Sequence, residues 1–420
     1  MIESMTDIQK PKWGLRLRKL GKWPSRFALV VCIVWVFTAV FADQLANELP
    51  LSCKIEGQRH FPAFEESLAK ISGKRSPRIY YIGKRNAMES VVMPPVPYSP
   101  QTIDRANAGY KSPFAEQNVE QTRFRHWLGT DSLGRDVLSG LIHGSRVALV
   151  IGLLSVLIAM IAGVFLGAIA GFFGDRNLRL NTIEGLGLAF LLMALGYSTY
   201  VMLDSGAAFS YAVIAILLAI AIGVGWSKLF SKRVPEMMKG SKLSGTIGFP
   251  LDLLVLRLIE VFRALPSLFI LLAIIAIIES PGIIEMSLII SMLMWPTFAR
   301  YTRAEFLSLR EREFVQAAKL LRRRNSYIVF REILPNATPP IAVAAAFGVS
   351  SAILAESTLS FLGIGFSADQ VSWGSMLNEA RLYFKAWWMA VFPGVAIFAV
   401  ILAMNSLGDH ISRRQSGNPQ

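Results

Sequence analysis

Long apolar runs recur along this chain, and they constrain its fold more than any other feature. Val147 to Phe173 contains no charged residue at all. At ~1.5 Å per helical residue, about 20 apolar residues cross a bilayer core of about 30 Å. Inside lipid no water satisfies backbone N–H and C=O groups, so such runs must be helices. Similar segments lie at Phe27–Leu45, Phe249–Ile278, Met286–Phe298 with its flanks, Ile341–Leu362 and Trp387–Leu407. Only 17% of the residues are charged, against about a quarter in a soluble globular protein. The fold class expected is an all-α polytopic membrane protein.

The formal net charge of +14 would suit a nucleic-acid partner. The Lys and Arg residues cluster beside the apolar runs, however, where they set topology and contact anionic lipid head groups. Membrane lipid is therefore the expected partner, and nucleic acid is not. Residues 1–26, with Lys10, Lys12, Arg16, Arg18, Lys19, Lys22 and Arg26, are expected in the cytoplasm. Residues 27–45 form the first span, and the tail 411–420, with Arg413 and Arg414, is also expected inside, next to His410. Cys32 and Cys53 fall in a span and an outer loop, which argues against an internal disulfide. His60, His126, His143 and His410 lack metal-ligand spacing, so no metal site is expected.

Residues 46–146 are polar, carry Pro94, Pro95, Pro97, Pro100 and Pro113, and cannot cross lipid. They are expected outside the membrane, ending in an interfacial helix. Gly129 and Gly134 read as turn residues, and Asp131 or Ser132 as the cap of a short helix burying Val137, Leu138, Leu141 and Ile142. The membrane domain is expected over 147–410. In its first helix Gly163, Gly167 and Gly171 recur every four residues, so that a second helix can approach the backbone.

The segment 301–338 is a charged loop between two apolar runs. Glu313 to Leu321 reads as a short amphipathic helix with Phe314, Ala317, Ala318 and Leu321 on one face. Arg322, Arg323 and Arg324 suit its C-terminus. Ser326 can cap a second short helix stopping near Leu334–Pro335. A helix-turn-helix carried on the cytoplasmic face is shaped to dock into another protein.

Gln316-Ala317-Ala318 followed by Leu334-Pro335-Asn336 resembles the EAA loop of permease subunits in ABC importers. Trp295-Pro296-Thr297-Phe298-Ala299-Arg300 through Arg303-Ala304-Glu305 is similar to the peptide/nickel permease branch. His126-Trp127-Leu128-Gly129-Thr130-Asp131, Gly134-Arg135-Asp136 and Gly144-Ser145-Arg146 are similar to the signature of its C-type subunits. The resemblance implies a type I importer transmembrane domain. In it the loop residues Glu313, Phe314, Gln316, Ala317, Ala318, Leu321, Arg322, Leu334 and Pro335 couple to a separate ATPase. It also implies a homologous permease subunit as heterodimer partner, ABC ATPase subunits and an extracytoplasmic solute-binding protein. The first span stays as an anchor, although Val40-Phe41-Ala42 also fits a signal-peptidase site. Gln316 stands where the family has Glu, and Arg322 where it has Gly. The latter questions the turn, since Gly enters the left-handed region without strain, and Asn325 is the alternative residue for that conformation.

The pattern breaks after Gly171-Phe172-Phe173-Gly174 and resumes at Phe249. Within the insertion 175–248, Gly187–Leu203 and Phe209–Trp226 form a hairpin joined by the polar turn 204–207. Its basic flanks, Arg176 and Arg179 before and Lys228, Lys232, Arg233, Lys239 and Lys242 after, place both ends inside. A re-entrant or interfacial hairpin is the alternative. With a six-span family core, this gives about eight spans, both termini cytoplasmic, in the inner membrane.

Glu356 stands alone in the apolar run before Gly363, and an intramembrane carboxylate is a functional candidate, here for the translocation path or its gate. The chain lacks a Gly-x4-Gly-Lys-Ser/Thr phosphate loop, so it is not expected to be an enzyme or to bind a cofactor; ATP would sit on the partner ATPase. A secondary transporter is the competing reading. It needs paired repeats and midplane ion sites, which are not evident.

Overall fold

The computed structural model describes residues 23–72, 76–84, 88–119, 121–174, 179–181, 246–248, 251–278, 281–366 and 370–415. The basic segment before Trp23, both hairpin arms with all their Lys and Arg flanks except Arg179, and the last five residues lie outside these ranges.

Each apolar run within the described residues is helical. Helix α1, Trp23–Val40, is apolar but short for a span. The polar lobe that follows contains a three-stranded antiparallel sheet of β1, Ser52–Ile55, β2, Gln58–His60, and β3, Glu89–Val92, in the order β2-β1-β3. Glu56 and Gly57, both at positive φ, close the β1–β2 hairpin, as a two-residue turn with that twist requires. Helix α2, Pro62–Ser72, follows β2. Cys53 and Ile55 alternate inward and form a small core with Leu49 and Tyr81. The all-α expectation therefore holds for the membrane part and needs this correction for the lobe. The four-residue alternation of β1 was too short to register beside the prolines.

Four helices are long and apolar enough to cross a membrane, and the first of these, α3, is Val137–Phe173. The insertion is closed at its base by a ribbon of β4, Arg179–Asn181, and β5, Thr246–Gly248, in antiparallel register from Arg179↔Gly248 to Asn181↔Thr246. Helices α4, Leu251–Ala264, and α5, Ser267–Ile278, are bent by 82° across Leu265–Pro266. Pro266 removes a helical N–H, and Leu265 before it is disfavoured in helical geometry. The remaining long helices are α6, Ile283–Leu309, α8, Asn325–Phe361, and α10, Trp387–Gln415. The loop helix α7 is Glu313–Leu320. Among the described residues this makes four spans, or five with the bent pair counted as one.

Two boundaries differ from those read in the sequence. The interfacial helix and the next span are one continuous helix, α3, so the division at 146/147 falls inside it. Its cap is Asp136, whose Oδ2 accepts from the Ser139 N–H at 2.7 Å. Asp131 instead organises the preceding turn, accepting from the N–H groups of Leu133 and Arg135 at 2.9 and 2.8 Å. The stretch 363–386, between α8 and α10, contains α9, Trp373–Leu382, started by a Ser372/Ser375 capping box. The second loop helix does not stop at Leu334–Pro335 but runs on through a wide π-helical stretch, Ile328–Ile333, to Phe361. A widened turn just before Pro335 relieves the clash that its ring makes with the preceding turn of a regular helix.

The chain divides into two compact units. The first comprises residues within 1–164, 262–301 and 335–420, the second those within 165–261 and 302–334. In the first, Val147 and Ile151 of α3, Leu271 and Ile275 of α5, Met286 and Ile290 of α6, and Ala352 and Leu359 of α8 form one buried cluster. Helix α1 packs on α10, and the Trp35 indole donates to the Ser145 carbonyl at 3.1 Å. A Cβ on Gly163 would stand 2.5 Å from the Phe298 Cβ, so α6 lies directly on the backbone of α3 there. In the second unit the same holds at Gly171, where a Cβ would meet Phe306 at 2.6 Å. Two of the three spaced glycines thus serve the close approach their spacing predicts.

Candidate functional site

The charged loop is built in the second unit. Helix α7 has two faces. Val315 is fully buried and Ala318 nearly so, while Phe314, Ala317, Leu320 and Leu321 are exposed. The buried face packs on the π-helical start of α8, which buries Ile328 and Ile333. Of the four residues placed on one face by the sequence, Ala318 therefore points inward, and Phe314, Ala317 and Leu321 form an uncovered apolar strip. Leu321 itself is the C-terminal cap.

Arg322 resolves the question raised by the missing Gly. It takes the left-handed conformation itself, with φ 52°, and Asn325 is helical. Its N–H donates to the Lys319 carbonyl at 2.9 Å and the Arg323 N–H to the Ala318 carbonyl at 3.1 Å, the two bonds of a Schellman cap. A non-glycine residue in this region costs about 1–2 kcal/mol, which the two cap bonds and the docked α7 offset. Gln316 has a bond that Glu cannot make: its Nε2 donates to the Arg310 carbonyl at 3.1 Å. Arg310 Nη1 in turn donates to the Gly171 carbonyl at 3.1 Å, where α3 ends. Arg303 clasps Asp252 of α4 with two donors, one at 2.6 Å. Leu334 is half-buried and Pro335 exposed, both inside the continuous helix.

Glu356 belongs to the first unit and is 1% exposed. Ser360 Oγ donates to its Oε1 at 2.8 Å and Ser357 Oγ to its Oε2 at 3.3 Å. Its carboxyl group is thus held by hydroxyl donors within the chain. Ser360 also lines a cavity of about 320 Å³, which Asp131, Arg135 and Glu379 line as well.

The loop and the spans around it fit the model of the family described as binding-protein-dependent transport system inner membrane component, over residues 243–417. The di/tripeptide transport system permease protein DppC of Pseudomonas aeruginosa is 32% identical over 292 residues, 69% of this chain and 72% of that one. The chain belongs to this family, in its oligopeptide/dipeptide ABC importer branch. Other relatives of the permease include the dipeptide transport system permease protein DppC of Alkalihalophilus pseudofirmus, 29% identical over 303 residues, 71% of this chain and 75% of that one. The glutathione transport system permease protein GsiD of Pectobacterium atrosepticum is 28% identical over 310 residues, covering 72% and 78%.

The signature ahead of the permease's membrane domain acts as a brace in this fold. His126 is wholly buried, stacked on Tyr98, with Nδ1 2.9 Å from Asp136 Oδ1 and Nε2 3.2 Å from Asp104 Oδ2. Burial alone would lower the pKa of the imidazole, but the bonds and charges of Asp136 and Asp104 outweigh it and raise the pKa above the ordinary value. Gly134, at φ 86°, makes the turn that lets Arg135 pair with Asp131 and reach Glu379 of α9 at 2.7 Å. Burial, with Asp131 adding, pushes the Glu379 carboxyl up to about 7 against the opposing pull of Arg135. Arg146 ties α3 to the end of α1, donating to the Ala39 carbonyl at 3.0 Å and to Asp43 at 2.8 Å. Sequence reasoning found this motif but not its partners, because Asp104 and Glu379 are distant along the chain.

Proposed function

We propose that this permease is the membrane subunit of an ATP-driven importer that moves peptides, or a related solute such as a nickel chelate, into the cytoplasm by alternating access. A homologous permease subunit would complete the pathway as a heterodimer, ABC ATPase subunits would bind the cytoplasmic loop, and an extracytoplasmic binding protein would deliver the solute. Both termini would be cytoplasmic, with eight spans once the insertion hairpin is counted. This chain would hold no cofactor; ATP would be bound and hydrolysed by its partners.

The observation that carries this reading is the two-sided helix α7. Its inner face is packed while Phe314, Ala317 and Leu321 stay exposed on a charged loop between apolar helices. Such a strip has no reason to face water and is suited to a protein cleft. Ala318 is buried, so charge placed there would disturb the loop itself; Ala317 is the informative position. In proteoliposomes holding the purified complex, Ala317→Glu is expected to abolish ATP-driven uptake and permease-stimulated ATP hydrolysis. Uptake driven by a proton or sodium gradient without ATP would favour the secondary transporter instead.

A further inference from the structure

The turn after α7 carries a second feature that an apolar docking strip does not require. Leu321, Arg322, Arg323, Arg324, Ser326, Tyr327 and Phe330 line an open notch of about 650 Å³. Leu321 belongs to both the strip and the notch, so the two surfaces are continuous. Leu321 and Phe330 are 72% and 65% exposed, and Arg323 lies over the Tyr327 ring at 5.2 Å. Among the described residues, none of Arg322, Arg323 and Arg324 is paired with a carboxylate. Of the three acids in this loop, Glu311 pairs with Arg310, Glu332 has a partner of its own, and Glu313 stands in the first turn of α7. Between Arg310 and Glu332 seven basic residues stand against three acidic ones, so the loop carries an uncompensated positive charge. The long helix α8 begins at Asn325 with Arg324 as N-cap and no side-chain cap, which adds the positive end of its dipole.

We infer that this notch receives one or more carboxylate side chains of the ATPase subunit, seated beside an apolar side chain that covers Leu321 and Phe330. The inference rests on the proposed docking of α7 and adds the chemistry of the partner. Guanidinium groups grip carboxylates with paired donors, and the aromatic walls suit Arg more than Lys. Phospholipid head groups offer the same charge but not the apolar knob, and they need no concave site.

Arg323→Glu/Arg324→Glu in the full complex tests this, with Arg323→Gln/Arg324→Gln as the variant that removes charge without adding repulsion. Arg322 is left in place because it holds the turn. ATPase binding and stimulated hydrolysis are read in nanodiscs with and without anionic phospholipid, from about 0.05 to about 0.5 M salt. The reversal is expected to lower stimulated hydrolysis at least ~10-fold in both nanodiscs, and both variants to flatten the salt dependence of association. Lys in place of the facing ATPase carboxylates should restore the reversed variant. Wild-type coupling and salt dependence in both variants would overturn the inference. A loss confined to anionic nanodiscs would overturn it too, assigning the arginines to head groups. If Ala317→Glu is silent as well, the docking of α7 fails; if only Ala317→Glu uncouples, the docking stands and the notch does not.

Discussion

At the residue scale, the buried His126 and the half-buried Glu379 make the stability of the outer part depend on pH in a predictable direction. His126 has a folded pKa above its unfolded value of about 6.5, so its contribution is complete below that value and is lost as pH rises through the raised folded one. Glu379, raised to about 7 from an unfolded value of about 4.3, contributes below the latter and fades as pH climbs toward 7. Thermal unfolding of the permease is therefore expected to move to lower temperature between about pH 5 and about pH 8. Glu379→Gln should flatten the acidic part of that curve and His126→Gln the neutral part; a pH-independent transition in the wild type would contradict the assignment. Glu356 tests a different balance. Its serine donors make Glu356→Gln nearly neutral for stability, whereas Glu356→Leu orphans buried hydroxyls at about 1–3 kcal/mol. If Glu356 also serves the gate, Glu356→Gln should slow transport at near-normal melting temperature. Wild-type transport and stability in both variants would remove both roles. Ser357 and Ser360 stand beside Glu356 in the sequence, but the distant partners of His126 and Glu379 were not legible there, because a sequence shows residue types and local spacing. Arg322 is the sharpest case: the rule that assigns left-handed turns to Gly or Asn selected Asn325, while cap bonds and packing placed Arg there.

At the element scale, the apolar runs were legible because lipid leaves the backbone one local solution, and each described run is a helix. Continuity was harder to read. Pro335 signals a stop, yet α8 widens its turn and continues; Gly140 and Gly144 did not break α3. The sheet of the lobe rests on two inward residues of β1, Cys53 and Ile55, and a Glu56–Gly57 turn, a weak signal amid prolines. The insertion was visible as an interruption of the family pattern, and β4–β5 now defines its base. Because Asn181 pairs with Thr246, residues 182–245 can be replaced by an Asn-Gly turn, whose twist suits such a ribbon. ATP-driven uptake is expected to remain detectable in that variant. Complete loss with normal membrane assembly would place the insertion in the translocation path.

At the scale of the whole molecule, the two units carry different features: the lobe and the Glu356 network in the first, the charged loop in the second. The family's loop residues acquire separate tasks here. Val315 and Ala318 hold α7 on α8, Arg322 caps its C-terminal end, Gln316 ties it to the Arg310 carbonyl, and Phe314, Ala317 and Leu321 stay uncovered. The most direct measurement places a photo-crosslinking side chain at Ala317 or at Val315 in the assembled complex. The account predicts a strong crosslink to the ATPase subunit from position 317 and none from position 315, which is fully buried against its own chain. Equal labelling from both positions, or none from 317 in a complex that hydrolyses ATP in response to solute, would contradict it.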